Sequence, residues 1–456
     1  MLRICMLVTV AVSALASCAA PVAVKDTELP LSLKRVAWAM YQHSPDRNAV
    51  FEHYRIARDW SYTADKINGG LALVGNTLLF TTFDRRLVAL DVRNGRELWH
   101  AALANIAMST PIVAGDTVYV GTGKNGVLDR SLRPNAKLAR NVAMRFEYGK
   151  RPVWGVDQGD EIAAFDLHTG ARRWTHRTVG ENMPSAVYDR GTLIFANGEW
   201  RAYALRAETG AALWSTELGG VATMASAVTA GNLVVFGTCT DGMRNSSAVA
   251  LDESAGKLVW RSPYGHCDAA PTYADGKVFV SSVAPGDTWV QGRTVVAALD
   301  AKTGKPAWVY RAKEQGLWSL IGSEEAAVAG AYANGTYYQS SPLSDEVIAF
   351  DGKTGRVRWR FHTSGPAKMS AVVNKGRLYI GDTAGLFYTL DASDGTLLEI
   401  RQFKNGFTTS PPIVAGNKII IANGTGVHAI PLSGRPDMPN VGWGVTRAMQ
   451  ERENDS

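Results

Sequence analysis

One decapeptide constrains this chain more than any other feature: FDLHTGARRW, Phe165 to Trp174, which recurs with variations along the sequence. The copies are LDVRNGRELW ending at Trp99, LRAETGAALW at Trp214, LDESAGKLVW at Trp260, LDAKTGKPAW at Trp308, FDGKTGRVRW at Trp359 and LDASDGTLLE at Glu399. The turn residue is Asp91, Asp166, Arg206, Asp252, Asp300, Asp351 or Asp391, and a tryptophan follows it at a fixed distance in every copy but the last. A polar turn of this kind, spaced by roughly forty to fifty residues, marks a repeat architecture with one supersecondary unit per copy. A degenerate eighth copy, VHAIPLSG, has Pro431 in the turn position and no tryptophan after it. Trp60, in ARDWSYT, stands before the first full unit without a turn of its own.

Each unit repeats one order. A short loop leads to an apolar stretch such as STPIVA, a Gly-Asp turn, a strand such as TVYVGT, a further strand such as RLVALD, and the motif turn into the tryptophan strand. Four antiparallel strands per unit, eight times over, predict an all-β, eight-bladed β-propeller. The strand around Trp60 is expected to pair with the last unit, so that N- and C-terminal strands close the ring and leave no long open edge. The turn aspartate accepts backbone N–H groups two residues on, and the glycine supplies a positive φ. Arg206 and Pro431 lack that carboxylate, which predicts two weaker hairpins. Trp60, Trp99, Trp174, Trp214, Trp260, Trp308 and Trp359 are expected to lay a flat face on the neighbouring blade and to offer the indole N–H to a carbonyl.

These motifs, from about Trp60 to Leu432, resemble the PQQ-type β-propeller repeat with its tryptophan-docking motif. The resemblance implies the eight-bladed fold and leaves function open, because quinoprotein dehydrogenases, the outer-membrane protein assembly factor BamB and periplasmic proteins with other roles share it.

The leader MLRICMLVTVAVSALASC has one early cation and an apolar run too short to cross a bilayer. Its ending resembles the lipobox of bacterial lipoproteins, which implies cleavage before Cys18 and lipidation of that residue; a soluble exported protein is the plainer alternative. Ala19 in place of an aspartate points to the outer membrane, facing the periplasm. The expected organisation is a signal peptide over 1–17, an N-terminal tether over 18–56, the propeller over 57–434 and a disordered tail over 435–456. A net charge of +6 suits anionic surfaces without specifying one, and nucleic acid is not expected for an exported chain.

Loops after the second and fourth strands of each blade share one face, where the unusual features gather. A basic insertion fills Gly121 to Asp160 and suits an acidic partner, lipid headgroups or a solvated surface. Met108, Met183, Met224 and Met369 precede first strands at nine or ten residues after a tryptophan, and are expected to ring the channel mouth. They suit apolar filling, a soft-metal site or the floor of a ligand pocket. Lys368, Glu181, Asn182 and Asp268 are further mouth candidates. Cys239 and Cys267, on one face of adjacent blades, are expected to form a disulfide; a nucleophilic Cys267 between His266 and Asp268 is the sharper alternative.

No histidine or cysteine spacing of zinc type is present, and no metal is assigned. A quinoprotein needs a planar tryptophan, calcium ligands and an aspartate base. Glu181, Asn182 and Asp268, with Trp154, Trp200, Trp289 or Trp318, are placed for this, but the adjacent cysteine pair and haem motif of many quinoproteins are missing. No cofactor is therefore expected, with PQQ and calcium as the alternative. The leading expectation is a non-catalytic, membrane-anchored scaffold whose partner is an outer-membrane β-barrel assembly complex. The rival is a periplasmic enzyme, either a PQQ-dependent dehydrogenase or a cofactor-free hydrolase of small anions. WAMYQHSPDRNAVF, Trp38 to Phe51, resembles the segment that precedes the propeller in quinoproteins.

Overall fold

Hairpin turns built from the repeated motif organise the described residues into eight blades, each built on four antiparallel strands. The computed structural model describes residues 39–123, 147–148, 151–152, 159–240, 245–285, 291–313, 316–317 and 327–432. The leader, Cys18, the tail from 435, most of the basic insertion, and Trp154, Trp289 and Trp318 lie outside the described residues. Among the described residues there is no helix.

Blade 1 comprises Ala72–Val74, Thr77–Thr82, Arg86–Asp91 and Arg96–Ala102, and blades 2 to 7 repeat this order. First strands are short and mostly buried, and those of several neighbouring blades touch, so they line the central axis. Fourth strands alternate between exposed and half-buried side chains, as expected of an outer rim. In each blade from 1 to 7 the pairing of the last two strands shifts register next to the motif turn, marking a bulge.

Blade 8 is composite. Ile413–Ala415, Lys418–Asn423 and Gly426–Pro431 come from the C-terminal end, and Trp60–Thr63 supplies the fourth strand with Trp60 opposite Ala429. The ring is closed by pairing strands from the two ends of the chain.

The two halves of the motif serve different blades. Each indole N–H donates to the carbonyl immediately after the next blade's turn residue: Trp60 to Val92, Trp99 to Leu167, Trp174 to Ala207, Trp214 to Glu253, Trp260 to Ala301, Trp308 to Gly352 and Trp359 to Ala392, at 2.8 to 3.2 Å. The ring face lies on the turn glycine of that next blade. A Cβ on Gly95, Gly170, Gly210, Gly256, Gly304, Gly355 or Gly395 would stand 2.5 to 2.7 Å from ring carbon atoms. These glycines also have φ between 64° and 80°, so two independent constraints hold one residue type.

At Asp166, the Oδ1 atom accepts the N–H groups of His168 and Thr169 at 3.0 and 2.9 Å. The Arg173 guanidinium and Thr169 hold this carboxyl well below the usual range. The Arg206 turn lacks a carboxylate but keeps the Gly210 N–H to Arg206 carbonyl bond at 2.8 Å, matching the backbone bond at the other turns. Where Glu399 replaces the tryptophan, it grips Arg401 at 2.6 and 3.0 Å, and Arg401 donates to the Pro431 carbonyl at 2.6 Å. An ion pair thus does at the seam between blades 7 and 8 what an indole does elsewhere.

Candidate functional site

The first strands define a ring position four residues ahead of each. It is filled by Asn68, Met108, Met183, Met224, Asp268, Ala327, Lys368 and Thr409, one from each blade in order. All eight line a single axial cavity of about 500 Å3, a volume that includes space open to solvent. Ser185, Ser226 and Ser370, two residues further along, line it as well.

Five of the expected mouth residues therefore converge: Met108, Met183, Met224, Asp268 and Lys368. Met369, Glu181 and Asn182 do not line the cavity. Met369 is fully buried in a hydrophobic cluster, and its sulfur accepts the Gly381 N–H at 3.1 Å. The ring position after Trp359 belongs to Lys368, nine residues on, as for Met108 and Met183; Met224 follows its tryptophan by ten. Glu181 and Asn182 are fully buried, with the Asn182 amide donating to the Thr122 carbonyl and the Thr178 hydroxyl at 3.1 and 2.6 Å.

A hydroxyl collar fixes the cavity wall. Gly70 N–H donates to Thr110 Oγ1, Thr110 N–H to Ser185 Oγ and Ser185 N–H to Ser226 Oγ, at 2.9, 2.8 and 2.9 Å, linking blades 1 to 4. Each hydroxyl accepts a backbone donor from the preceding blade, which holds the loop ahead of each first strand in register.

The floor comes from an unexpected source. Residues 39–51, assigned by sequence to the tether, lie inside the ring and bond to the inner strands of blades 3 and 5 to 8 and to the loop just ahead of that strand in blade 4. Ala39, Pro45, Asp46 and Ala49 carbonyls accept from Tyr188, Tyr273, Tyr332 and Val414 N–H groups at 2.7 to 3.0 Å. Asn48 exchanges two bonds with Val373, and Val50–Phe51 adds a parallel strand beside Ile413–Ala415. Arg47 is fully buried and donates to the carbonyls of Pro271, Ala227, Ser226 and Tyr41. Burial pulls its guanidinium down to about 10, so it remains charged at neutral pH. Tyr41 stacks near Arg47, donates to the Thr409 carbonyl at 3.1 Å and lines the cavity. Tyr41, Arg47, Asn68 and Thr409 were not singled out from sequence. Counting back four from each first strand would have found the last two.

Behind the mouth, Cys239 and Cys267 are joined by a disulfide. Cys267 therefore carries no thiolate nucleophile in this state. His266 is fully buried and burial pulls it down to about 4, keeping it neutral; its Nδ1 accepts the Asp268 N–H at 3.2 Å. Asp268 also accepts from the Thr223 hydroxyl. Trp200 packs on the disulfide and Val221 and does not line the cavity.

Among the described residues the oxygen ligands expected for a calcium ion do not converge on the cavity. The oxygen donors expected for the metal are split: Asp268 is at the mouth, while Glu181 and the already bonded Asn182 lie behind it. Among the described residues the one grouping of three metal-binding side chains is Cys239, His266 and Cys267, with both sulfurs in the disulfide. What the cavity offers is one cation, one carboxylate, one amide, four aliphatic hydroxyls and three thioethers around an aromatic floor.

Comparison with known proteins places the chain among propellers of several roles. A family model described as outer membrane protein assembly factor BamB matches residues 36–134, 158–245, 219–366 and 343–435. The chain is 26% identical to tetrathionate hydrolase of Acidithiobacillus ferrooxidans over 383 residues, covering 80% of this chain and 72% of that one. It is 25% identical to outer membrane protein assembly factor BamB of Moranella endobia over 405 residues, covering 84% and 92%. Among solved structures, quinohemoprotein alcohol dehydrogenase of Comamonas testosteroni superposes with a TM-score of 0.62 at 13% identity, over 89% of this chain and 82% of that one. That last likeness is one of fold.

Proposed function

This chain belongs to the propeller family described as outer membrane protein assembly factor BamB, and from that premise we propose that it is a non-catalytic scaffold in the assembly of outer-membrane β-barrel proteins. A lipid on Cys18 would hold it to the outer membrane on the periplasmic side, and its partner would be the β-barrel assembly complex. One observation carries the reading: the ring encloses its own residues 39–51, bonded to six blades. The chain itself fills part of the axial space, and the mouth cavity is what it leaves open there. The surfaces left for recognition are loops and blade rims, which suit a protein partner.

A second reading has a specific observation behind it. Lys368 and the Ser185 and Ser226 hydroxyls share the mouth cavity, a donor set suited to a small anion, and a tetrathionate hydrolase is among the relatives. In that reading the mouth would bind a small sulfur oxyanion, with Asp268 the nearest carboxylate to act as a base.

Deleting the gene and measuring folded β-barrel proteins in the outer membrane separates the two. The scaffold reading expects their level to fall, with full rescue by both the wild type and a Lys368→Met variant. Unchanged β-barrel levels together with lost hydrolysis of tetrathionate would overturn it.

A further inference from the structure

Met108, Met183 and Met224 occupy the same ring position on three consecutive blades, 2, 3 and 4, and face one cavity. Methionines that fill a core behave differently in this same chain. Met40 and Met369 each belong to a buried hydrophobic cluster, and the Met369 sulfur accepts a backbone N–H. Met108, Met183 and Met224 belong to none of the hydrophobic clusters formed by the described residues, although Met108 and Met183 are largely shielded from solvent. Among the described residues no donor bonds to their sulfurs. Three thioethers are thus gathered at a polar mouth, beside hydroxyls and charged groups.

We propose that Met108, Met183 and Met224 form a three-thioether site for a soft monovalent cation, copper(I). Thioethers are soft, polarisable donors that favour copper(I), whereas calcium, magnesium and manganese demand several oxygens. The next ring residue after Met224 is Asp268, which places one negative charge beside the arc. Lys368 sits two blades beyond it, past the uncharged Ala327. The neighbouring cysteine sulfurs are joined to each other and do not compete. The site uses side chains that the scaffold reading leaves idle, and stands apart from it.

The test offers copper(I) anaerobically, as its bicinchoninate complex, to the full-length protein labelled with carbon-13 at the methionine methyl groups. The protein should withdraw one copper more than a variant carrying Met108→Leu, Met183→Leu and Met224→Leu. The methyl signals of Met108, Met183 and Met224 should shift while those of Met40 and Met369 stay. Each single Met→Leu change should weaken binding by at least the roughly 10- to 100-fold that loss of an outer-shell partner costs a metal site. Leucine nearly conserves methionine's volume, and the methyl shifts in the unmodified protein do not depend on any variant folding. Equal copper uptake by wild type and triple variant, no uptake by either, or uptake without shifts at these three methyl groups would each overturn the proposal.

Discussion

Trp174 lies face down on Gly210 of the next blade: its ring carbon atoms would stand 2.6 Å from a Cβ there, and its indole N–H reaches the Ala207 carbonyl at 3.0 Å. Alanine at Gly210 would have to displace the ring and also adopt a φ near 72°. Gly210→Ala should therefore cost about 2–5 kcal/mol, combining left-handed strain with overpacking. Gly231 has a similar φ of 70° with nothing within 4 Å of its virtual Cβ, so Gly231→Ala should lose only the strain share. Urea unfolding of both variants would isolate the contribution of the blade-to-blade contact.

The buried Arg47 makes a second point of sensitivity. Truncation would leave carbonyls of Pro271, Ala227 and Tyr41 without their donor in the centre of the ring. Arg47→Ala should destabilise the protein by about 3–5 kcal/mol. It should also speed proteolysis within residues 39–51, measured by limited digestion and mass spectrometry.

The blade count, closure by the Trp60 strand and the docking tryptophans were all legible in sequence, because one hairpin chemistry recurs with fixed spacing. Residues 39–51 were not, since their contacts run mostly through backbone carbonyls and the single side chains of Arg47 and Asn48, which carry no periodic signal. An offset counted from the tryptophans puts Met369, ten residues after Trp359, level with Met224, ten residues after Trp214. The loop after Trp214 is one residue longer than those after Trp99, Trp174 and Trp359, so offset from the first strand is the measure that keeps register and selects Lys368. That each tryptophan lies on the turn glycine of the next blade is a tertiary relationship, visible only when Gly210 and Trp174 are seen together.

Two buried groups should give opposing pH dependence. Glu253, shielded by burial and facing Asp189, is pushed up to about 7 despite Arg190. It holds its proton more tightly folded than unfolded, so its contribution is present below about pH 4.5 and lost as pH rises towards 7. His266 is pulled down to about 4, so its contribution is present above about pH 6.5 and lost as pH falls towards 4. Between pH 4.5 and 6.5 the two partly cancel. From pH 6.5 to 7.5, Glu253→Gln should flatten a decline of at most about 1.4 kcal/mol per unit, measured by thermal unfolding across pH, and should change nothing below pH 4.

The disulfide spans a sequence separation of 28. Replacing both cysteines by serine should cost about 3–4 kcal/mol by the loop-entropy relation. The expected result is a lower unfolding midpoint for the oxidised wild type after reduction, matching that of the Cys239→Ser, Cys267→Ser variant. Equal midpoints before and after reduction would show that closing this loop contributes nothing.

The most direct test of the scaffold role is cross-linking in intact cells followed by capture of the tagged protein from solubilised outer membranes and identification of what is bound. The expected result is recovery of the β-barrel assembly complex, with cross-links to propeller loops or rims, undiminished by substitutions at Met108 or Lys368. Capture free of that complex, with cross-links absent from the loops and rims, would contradict a role in outer-membrane β-barrel assembly.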